Sequence, residues 1–201
     1  MEPHQTPPQT EWDAFVAART RAIRSLLGTV LEIGAGRGEN FSSLASDVTW
    51  LGLEPSTRFR RILTETARRA GHSQPPLVAT AERIPVRDAG VDGVFATTVM
   101  CSVSDPDQVL KEILRVLVPG GRVVLAEHVA APSGSKARTA QRLVRPWTKL
   151  FDHGCDPTRD TEAAVQRSDL DVQEIRRFVV PVIGRLRMPF VVISARKPSG
   201  S

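Results

Sequence analysis

The sequence predicts an α/β fold in which a mostly parallel sheet carries helices on both faces. Short apolar runs alternate with amphipathic stretches along the 201 residues, and glycine or proline closes most of them. This alternation is typical of βαβ units. Hydrophobic residues make up 41% of the chain and charged residues 24%, which is ordinary for a globular protein. A single domain is expected at this length.

Strands are predicted where short apolar runs end in turn residues, and helices where apolar residues recur every three or four positions. The predicted strands are 29–33, 49–53, 77–79, 90–96, 122–127, 172–180 and 190–195. The predicted helices are 11–27, 38–46, 59–70, 106–117 and 161–168. The domain is expected to span 10–197, between flexible ends at 1–9 and 198–201. The segment 130–160 has few strand signals, and we predict that it recognises the substrate.

Charge and cysteine content restrict the class of protein. The net charge is +5, but the basic residues are dispersed over most helices, so no nucleic-acid partner is expected. The only two cysteines, Cys101 and Cys155, lack the paired spacing of a zinc site, and no metal is expected. The polar N-terminus is unlike a secretory signal, and no apolar run is long enough to span a bilayer. These features favour a cytoplasmic protein, with peripheral membrane contact left open.

The richest motif is a glycine loop directly after the first predicted strand. Gly34, Gly36 and Gly38 alternate with other residues, which lets the backbone turn tightly and approach a ligand. Their spacing differs from the G-x-G-x-x-G that holds a pyrophosphate. The preceding Glu32 would repel a pyrophosphate but can attract a cationic amine. We therefore expect this loop, including Ala35, to bind a cofactor that carries a positive charge.

Two further segments follow predicted strands and complete a nucleoside-binding pattern. Glu54 and Pro55 end the second strand, where a carboxylate can accept both hydroxyls of a ribose. Ala81 and Glu82 follow the third strand and are placed to recognise an adenine edge. Taken singly, the glycine loop could be a structural turn, Glu54 a solvated strand end and Glu82 a surface residue. Together they lie at the carboxyl ends of strands, where open sheets bind ligands.

Four motifs resemble those of the class I S-adenosylmethionine-dependent methyltransferases. The segments 30–38 and 52–55 are similar to the glycine-rich first motif and the ribose-binding second motif of that family. Residues 91–95 and 114–121 are similar to its fourth-strand motif and its helix-to-strand-five signature. The resemblance implies a Rossmann-like seven-stranded sheet of order 3-2-1-4-5-7-6 with strand 7 antiparallel. It also implies S-adenosyl-L-methionine as cofactor, with Thr97 beside its methionine end.

The second half of the chain resembles the thiol S-methyltransferase branch of that family, through the segments 101–103, 127–130, 146–149, 154–155 and 158–161. This resemblance implies transfer of a methyl group to a small, mostly apolar acceptor, with a thiol as one such acceptor. Methylation of oxygen, nitrogen or carbon in a phenol, amine, quinone or lipid-like metabolite is the alternative. An RNA or protein methyltransferase and a non-catalytic adenosylmethionine-binding protein are less favoured.

The residues that would act on the acceptor are sought near the strand ends and in the segment 130–160. His128 and His153 are candidate general bases, since an imidazole takes up a proton near neutral pH. A hydrogen-bonded sheet end and a solvated loop are the alternative interpretations of these two histidines. Trp147 and Phe151 are predicted to form an apolar lid and Cys155 to contact the substrate, with ordinary packing as the alternative.

Overall fold

The structure is a computed structural model that describes residues 10–151, 154–183 and 186–200, with side chains described outside 182–186. Its elements in chain order are α1 (Glu11–Arg24), β1 (Thr29–Ile33), a 3-10 turn (Phe41–Ser43), β2 (Thr49–Leu53), α2 (Thr57–Arg69), β3 (Val91–Thr97), α3 (Pro106–Val116), β4 (Leu117–His128), α4 (Lys136–Phe151), α5 (Thr161–Arg167), β5 (Asp171–Ile183) and β6 (Leu186–Arg196). Strands and helices alternate as the sequence predicts, which confirms the α/β class.

Six strands of the described chain form one sheet in the order β2-β1-β3-β4-β6-β5. The first four strands along the chain are parallel, and β6 is antiparallel to both of its neighbours. This agrees with the expected order except that the third predicted strand, 77–79, makes only one bridge, between Leu53 and Leu77. Pro75 and Pro76 precede it and have no backbone N–H, so the ladder cannot extend in that direction.

Two apolar cores lie on opposite faces of the sheet. Successive residues of a strand point to opposite faces, and β3 shows this: Phe95 enters one core while Val94 and Ala96 enter the other. The core with Phe95 is covered by α1 and α2, and the second core by α3 and α5. Helices on both faces leave the carboxyl ends of the parallel strands as the edge available to a ligand.

Helix α1 packs on the antiparallel end of the sheet through aromatic side chains. Thr10 caps the helix by accepting the N–H of Asp13. Phe15 is 2% exposed, and its ring centroid lies 4.9 Å from that of Phe190 and 5.7 Å from that of Phe178. The N-terminal helix is therefore an integral part of the core.

The helix predicted over 38–46 is wrong apart from the 3-10 turn Phe41–Ser43. Gly38 has φ +85°, a left-handed conformation that interrupts a helix. The side chain of Asn40 is also used elsewhere, since it donates a hydrogen bond to Glu32. The apolar residues of this segment thus close the glycine loop instead of forming a helix.

The segment 130–160 contains helix α4, which the sequence pattern does not predict. Gln141 anchors α4, because its side chain accepts the N–H of Ala131 and donates to the carbonyl of Val129. Pro146 lies inside the helix and interrupts its hydrogen-bond ladder. Most of the apolar side chains of α4 are exposed: Leu143, Val144, Trp147, Leu150 and Phe151.

Within the described ranges, every helix is too short or too polar to cross a bilayer. The residues 1–9 and 201, predicted to be flexible, lie outside the described ranges.

We expect Phe15→Ala to lower the free energy of unfolding by about 3–5 kcal/mol, because it leaves a cavity among Phe178 and Phe190 that neighbouring side chains fill only partly. Urea denaturation followed by circular dichroism measures this. The control is Leu27→Ala, since the side chain of Leu27 is 61% exposed and its loss should cost no more than about 0.5 kcal/mol. Equal costs for the two variants would contradict the packing described for α1.

Candidate active site

A cavity of about 1000 Å³ lies at the carboxyl ends of β1, β2, β3 and β4. It is lined by most of the residues that the sequence predicts for the site: Gly34, Ala35, Gly36, Glu54, Pro55, Ala81, Glu82, Thr97, His128 and Cys155. Glu32, Gly38, Trp147 and Phe151 do not line it. His153 lies outside the described residues. The parallel strands thus bring distant segments of the chain to one crevice, as open sheets do.

The glycines of the loop after β1 have different physical roles. Gly34 has φ +64°, and a Cβ there would lie 2.5 Å from a methyl group of Val99. Gly36 has φ +55°, but a Cβ there would meet nothing closer than 3.9 Å. Gly38 was predicted to approach a ligand, yet a Cβ there would lie 2.4 Å from the ring of Phe41. Gly34 and Gly38 therefore allow close packing, and Gly36 gives the turn its backbone conformation.

Glu54 joins the glycine loop to the start of α2. Its side chain is buried at the end of β2, where Oε2 accepts the N–H of Gly36 at 2.9 Å and Oε1 accepts the N–H of Ser56 at 2.8 Å. A carboxylate has about four acceptor positions, so each oxygen can still accept a hydrogen bond from a ligand. Pro55 follows at the rim of the cavity.

Glu32 lies beneath the loop and is only 1% exposed. Its oxygens accept hydrogen bonds from Asn40 Nδ2 and Trp50 Nε1, both at 2.8 Å. Burial raises the pKa of Glu32 to about 7, although both hydrogen bonds oppose this shift. Asn40 also donates to the hydroxyl of Thr97 at 2.9 Å. Glu32 does not line the cavity, because its oxygens face the interior; Asn40 and Thr97 connect it to the lining, and its attraction of a cationic amine stays a prediction.

Ala81 and Glu82 form the side of the cavity next to α3. Glu82 Oε1 accepts the N–H of Ser104 at 2.8 Å and that of Asp105 at 3.4 Å. Burial would raise the pKa of Glu82, but these and other hydrogen bonds outweigh it and lower the pKa. Glu82 thus joins its own loop to the residues just before α3. Its recognition of an adenine stays a prediction.

The opposite end of the cavity is rich in sulfur. His128 ends β4, and its Nε2 lies 3.3 Å from Cys155 Sγ. Cys101 comes from the turn after β3, where Thr98 has φ +52°, an unfavourable conformation for a residue with a side chain. Its hydrogen bond with Cys155 and its burial raise the pKa of the Cys101 thiol, so Cys101 is neutral near pH 7.

The floor of the cavity depends on the fully buried Glu127. Its Oε1 accepts the N–H of Val99 at 3.1 Å, and Val99 in turn packs on Gly34. Burial raises the pKa of Glu127 to about 7. Glu127 thus holds the turn after β3 against the glycine loop.

Trp147 and Phe151 do not form the predicted lid. They stack on each other at 6.0 Å between ring centroids, but their side chains are 67% and 71% exposed on α4. The buried side of α4 is instead the one that carries Gln141, and Arg145 beside it binds Asp156. These polar contacts hold the other side of α4 against the protein, which leaves the two aromatic rings exposed to solvent.

Comparisons with known proteins agree on the family. Residues 31–125 match the profile of a methyltransferase domain. The thiol S-methyltransferase TMT1B of Rattus norvegicus is 36% identical over 143 residues, which cover 70% of this chain and 59% of that protein. The thiol S-methyltransferase TMT1A of Homo sapiens is 32% identical over 167 residues, which cover 81% of this chain and 68% of that protein. The chain belongs to the class I S-adenosylmethionine-dependent methyltransferases.

Solved structures show the same fold. The YcgJ protein of Bacillus subtilis has a TM-score of 0.71 at 18% identity, over 92% of this chain and 97% of that one. The [4+2]-cyclase SpnF has a TM-score of 0.72 at 18% identity, over 98% of this chain and 86% of that one. The methyltransferase spans about three fifths to two thirds of the length of the thiol S-methyltransferases compared above. S-adenosyl-L-methionine is the cofactor of the family.

Sequence reasoning misses several residues that line the cavity of this methyltransferase. Asn40 follows the glycine loop and was read only as part of a helix. Arg37 and Phe59 pair at the cavity, with the guanidinium carbon 5.6 Å from the ring centroid. Cys101 was not predicted to be a site residue, yet it also lines the cavity. Only the position of Asn40, two residues after Gly38, is a usable signal in the sequence, since the other contacts join segments far apart in sequence.

The raised pKa of Glu32 predicts a pH dependence of stability. Between its unfolded value of 4.5 and its folded value of about 7, the folded protein binds more protons than the unfolded chain. The contribution of Glu32 is therefore most favourable below this range, and decreases by about 3 kcal/mol as the pH rises through it. In Glu32→Gln this decrease is absent, because the amide does not titrate.

The measurement is the free energy of unfolding of Glu32→Gln and of the parent protein at several pH values. Relative to the parent, the variant should gain stability as the pH rises from about 5 to about 7.5. Glu65→Gln is the control, since Glu65 is exposed on α2 and its difference from the parent should change little. A constant difference for Glu32→Gln at all pH values contradicts the interpretation.

Proposed function

We propose that this protein transfers a methyl group from S-adenosyl-L-methionine to a small, mostly apolar thiol. The observation that carries the proposal is one continuous cavity, with Glu54 and the glycine loop at one end and Cys101, His128 and Cys155 at the other. The first end suits a nucleoside with a charged tail, and the second suits an uncharged acceptor. The names of the two mammalian relatives support sulfur as the acceptor atom.

The residues at the first end fit the cofactor. Glu54 has lone pairs left for the two ribose hydroxyls. The open space beside Gly36 lets the ribose and the methionine chain approach the backbone. Thr97 and Asn40 would meet the amino group, and the negative charge of ionised Glu32 beneath them would favour an ammonium. Bound there, S-adenosyl-L-methionine supplies a methyl group on a positively charged sulfur.

The remaining contacts of the first end concern the adenine. Ala81 is 7% exposed and forms part of the cavity wall beside Glu82. We propose that the base lies against Ala81 and Pro55, where the backbone of the 80–85 loop can recognise its edge. Glu82 contributes by holding this loop to the start of α3.

At the second end, the main task of the protein is to align the acceptor behind the methyl group. Correct alignment alone can lower a barrier by about 7–11 kcal/mol. Val99, Cys101 and Cys155 provide apolar, polarisable surface for a small organic thiol. That His128 removes the thiol proton stays a prediction, as does the same role for His153.

Other acceptors remain as alternatives from the sequence, and no contact in the cavity favours one of them. They are phenols, amines, quinones and lipid-like metabolites. A nucleic-acid partner is not expected, since the arginines are dispersed. The cytoplasmic location stays a prediction.

The direct experiment incubates the protein with cofactor labelled in the methyl group and with a panel of thiols, phenols, amines, quinones and RNA. We expect a labelled thioether from small aromatic or alkyl thiols, identified by mass spectrometry. Labelling of another acceptor class without the thiols would overturn the thiol assignment. Cofactor binding without any product would favour a non-catalytic binding protein.

We expect Glu54→Ala to weaken cofactor binding at least about tenfold, because two hydrogen bonds to a charged group are worth more than the 1.4 kcal/mol that a factor of ten requires. Isothermal titration calorimetry measures this. Glu65→Ala is the matched control, as Glu65 is an exposed carboxylate on the adjacent helix and its removal should leave the affinity unchanged. An unchanged affinity in Glu54→Ala, with the variant folded by circular dichroism, would contradict the ribose assignment.

A further inference from the structure

Three side chains that can ligate a metal meet at the acceptor end of the cavity. The ligand atoms of Cys101, His128 and Cys155 all lie within 4.8 Å of one another. The three side chains are 1%, 8% and 7% exposed. Each comes from a different segment: the turn after β3, the end of β4 and the loop before α5. The fold, and not a local sequence motif, brings them together.

The donor set is one that zinc prefers. Two sulfurs and one imidazole nitrogen suit Zn²⁺, whereas Mg²⁺ and Ca²⁺ require oxygen ligands. Zn–S bonds of about 2.3 Å and Zn–N bonds of about 2.0–2.1 Å in a tetrahedron give ligand–ligand distances of roughly 3.5–3.8 Å. The distance of 3.3 Å between His128 Nε2 and Cys155 Sγ is close to this, and the limit of 4.8 Å for all pairs leaves a small adjustment.

The backbone around the three side chains is already held in place. The N–H of Asp156 donates to the carbonyl of Cys101 at 2.9 Å, which joins two of the ligand segments directly. The carboxylate of Asp156 accepts the Nε–H of Arg145 and the hydroxyl of Thr158. His128 is fixed by its place in β4, paired with Phe190. A site supported in this way binds a metal without first ordering its ligands.

We propose that Cys101, His128 and Cys155 bind Zn²⁺, with a fourth coordination position directed into the cavity. All three residues line that cavity, so an exogenous ligand entering it reaches the metal from the cofactor side. Three protein ligands and one exchangeable position are typical of catalytic zinc sites, and a bound cation deprotonates the thiols that coordinate it.

The site also has a role that rests on the proposed thiol methylation. The acceptor thiol loses its proton to solvent, and its sulfur occupies the fourth position as a thiolate. That sulfur then forms a bond to the methyl carbon while the bond from this carbon to the cofactor sulfur breaks, and the electron pair stays on the cofactor sulfur. The product is a neutral thioether, a weaker ligand that leaves. His128 is then a ligand and not the general base.

The first experiment measures metal binding alone. Untagged protein is equilibrated with zinc sulfate, freed of excess metal by gel filtration and assayed by elemental mass spectrometry. We expect one zinc per chain, and with cobalt sulfate the visible absorption bands of tetrahedral thiolate coordination. Both signals should be lost in Cys101→Ser and Cys155→Ser and kept in His72→Gln, which removes an imidazole outside the site. Circular dichroism confirms that each variant is folded.

Two results overturn the metal site. One is a zinc content of the parent protein below about a tenth of an equivalent per chain, or a zinc content of both serine variants that equals that of the parent. The other is a disulfide between Cys101 and Cys155, detected as loss of two hydrogens by intact mass in protein purified without reductant, together with no zinc uptake after reduction.

The second experiment separates the metal's role from the proposed function. Cofactor affinity and thiol methylation are measured on protein dialysed against a chelator and after one equivalent of zinc is returned. We expect unchanged cofactor affinity, at least about a tenfold loss of thiol turnover without metal, and recovery with it. Full turnover by the metal-free protein overturns the metal's role while the thiol methyltransferase stands. Stoichiometric zinc with no methylation of any thiol overturns the proposed function while the metal site stands.

Discussion

The buried carboxylate of Glu32 constrains the whole cofactor end of this methyltransferase. A carboxylate that is 1% exposed is costly unless hydrogen bonds compensate it, and here Asn40 and Trp50 supply them. Trp50 can reach Glu32 because Gly52 leaves room for its ring: a Cβ on Gly52 would lie 2.2 Å from that ring. Asn40 extends the same network to Thr97 in the next strand. This hydrogen-bonded carboxyl group thereby positions β1, β2, β3 and the glycine loop relative to one another.

The part of the fold that could be predicted from the sequence is the part whose signals are local. The apolar run 29–33 and the glycines after it predict a strand and a turn within a few residues. Glu54, at the end of the second apolar run, likewise predicts the position of a ligand. The extent of the strand at 77–79 was harder to predict, because the run is apolar but follows Pro75 and Pro76. In the structure this strand is reduced to one bridge. At 38–46 the apolar spacing was outweighed by the left-handed Gly38 and by the engagement of Asn40 with Glu32.

The part of the site that could not be predicted depends on which direction a side chain faces. Trp147 and Phe151 have the spacing of an apolar helix face, but spacing alone does not tell whether that face meets the sheet or the solvent. The contacts of Gln141 and Arg145 decide this, and their partners lie ten or more residues away. In the same way Cys101, His128 and Cys155 are separated by 27 residues at each step, as their numbers show. The parallel sheet, which ends β3 and β4 side by side, brings Cys101 near His128, and the hydrogen bond from Asp156 to Cys101 holds Cys155 beside them.

The two ends of the cavity therefore differ in what they indicate: the first indicates the family, and the second bears on the acceptor. The first end is built from features that do not depend on the acceptor, and the fold itself also occurs in SpnF, a [4+2]-cyclase. Fold and cofactor loop thus identify the family but leave the reaction open. The second end is built from His128 and two cysteines, whose sulfurs are polarisable. A soft acceptor atom suits such a lining, and for this reason we propose that the acceptor is recognised at the ends of β3 and β4.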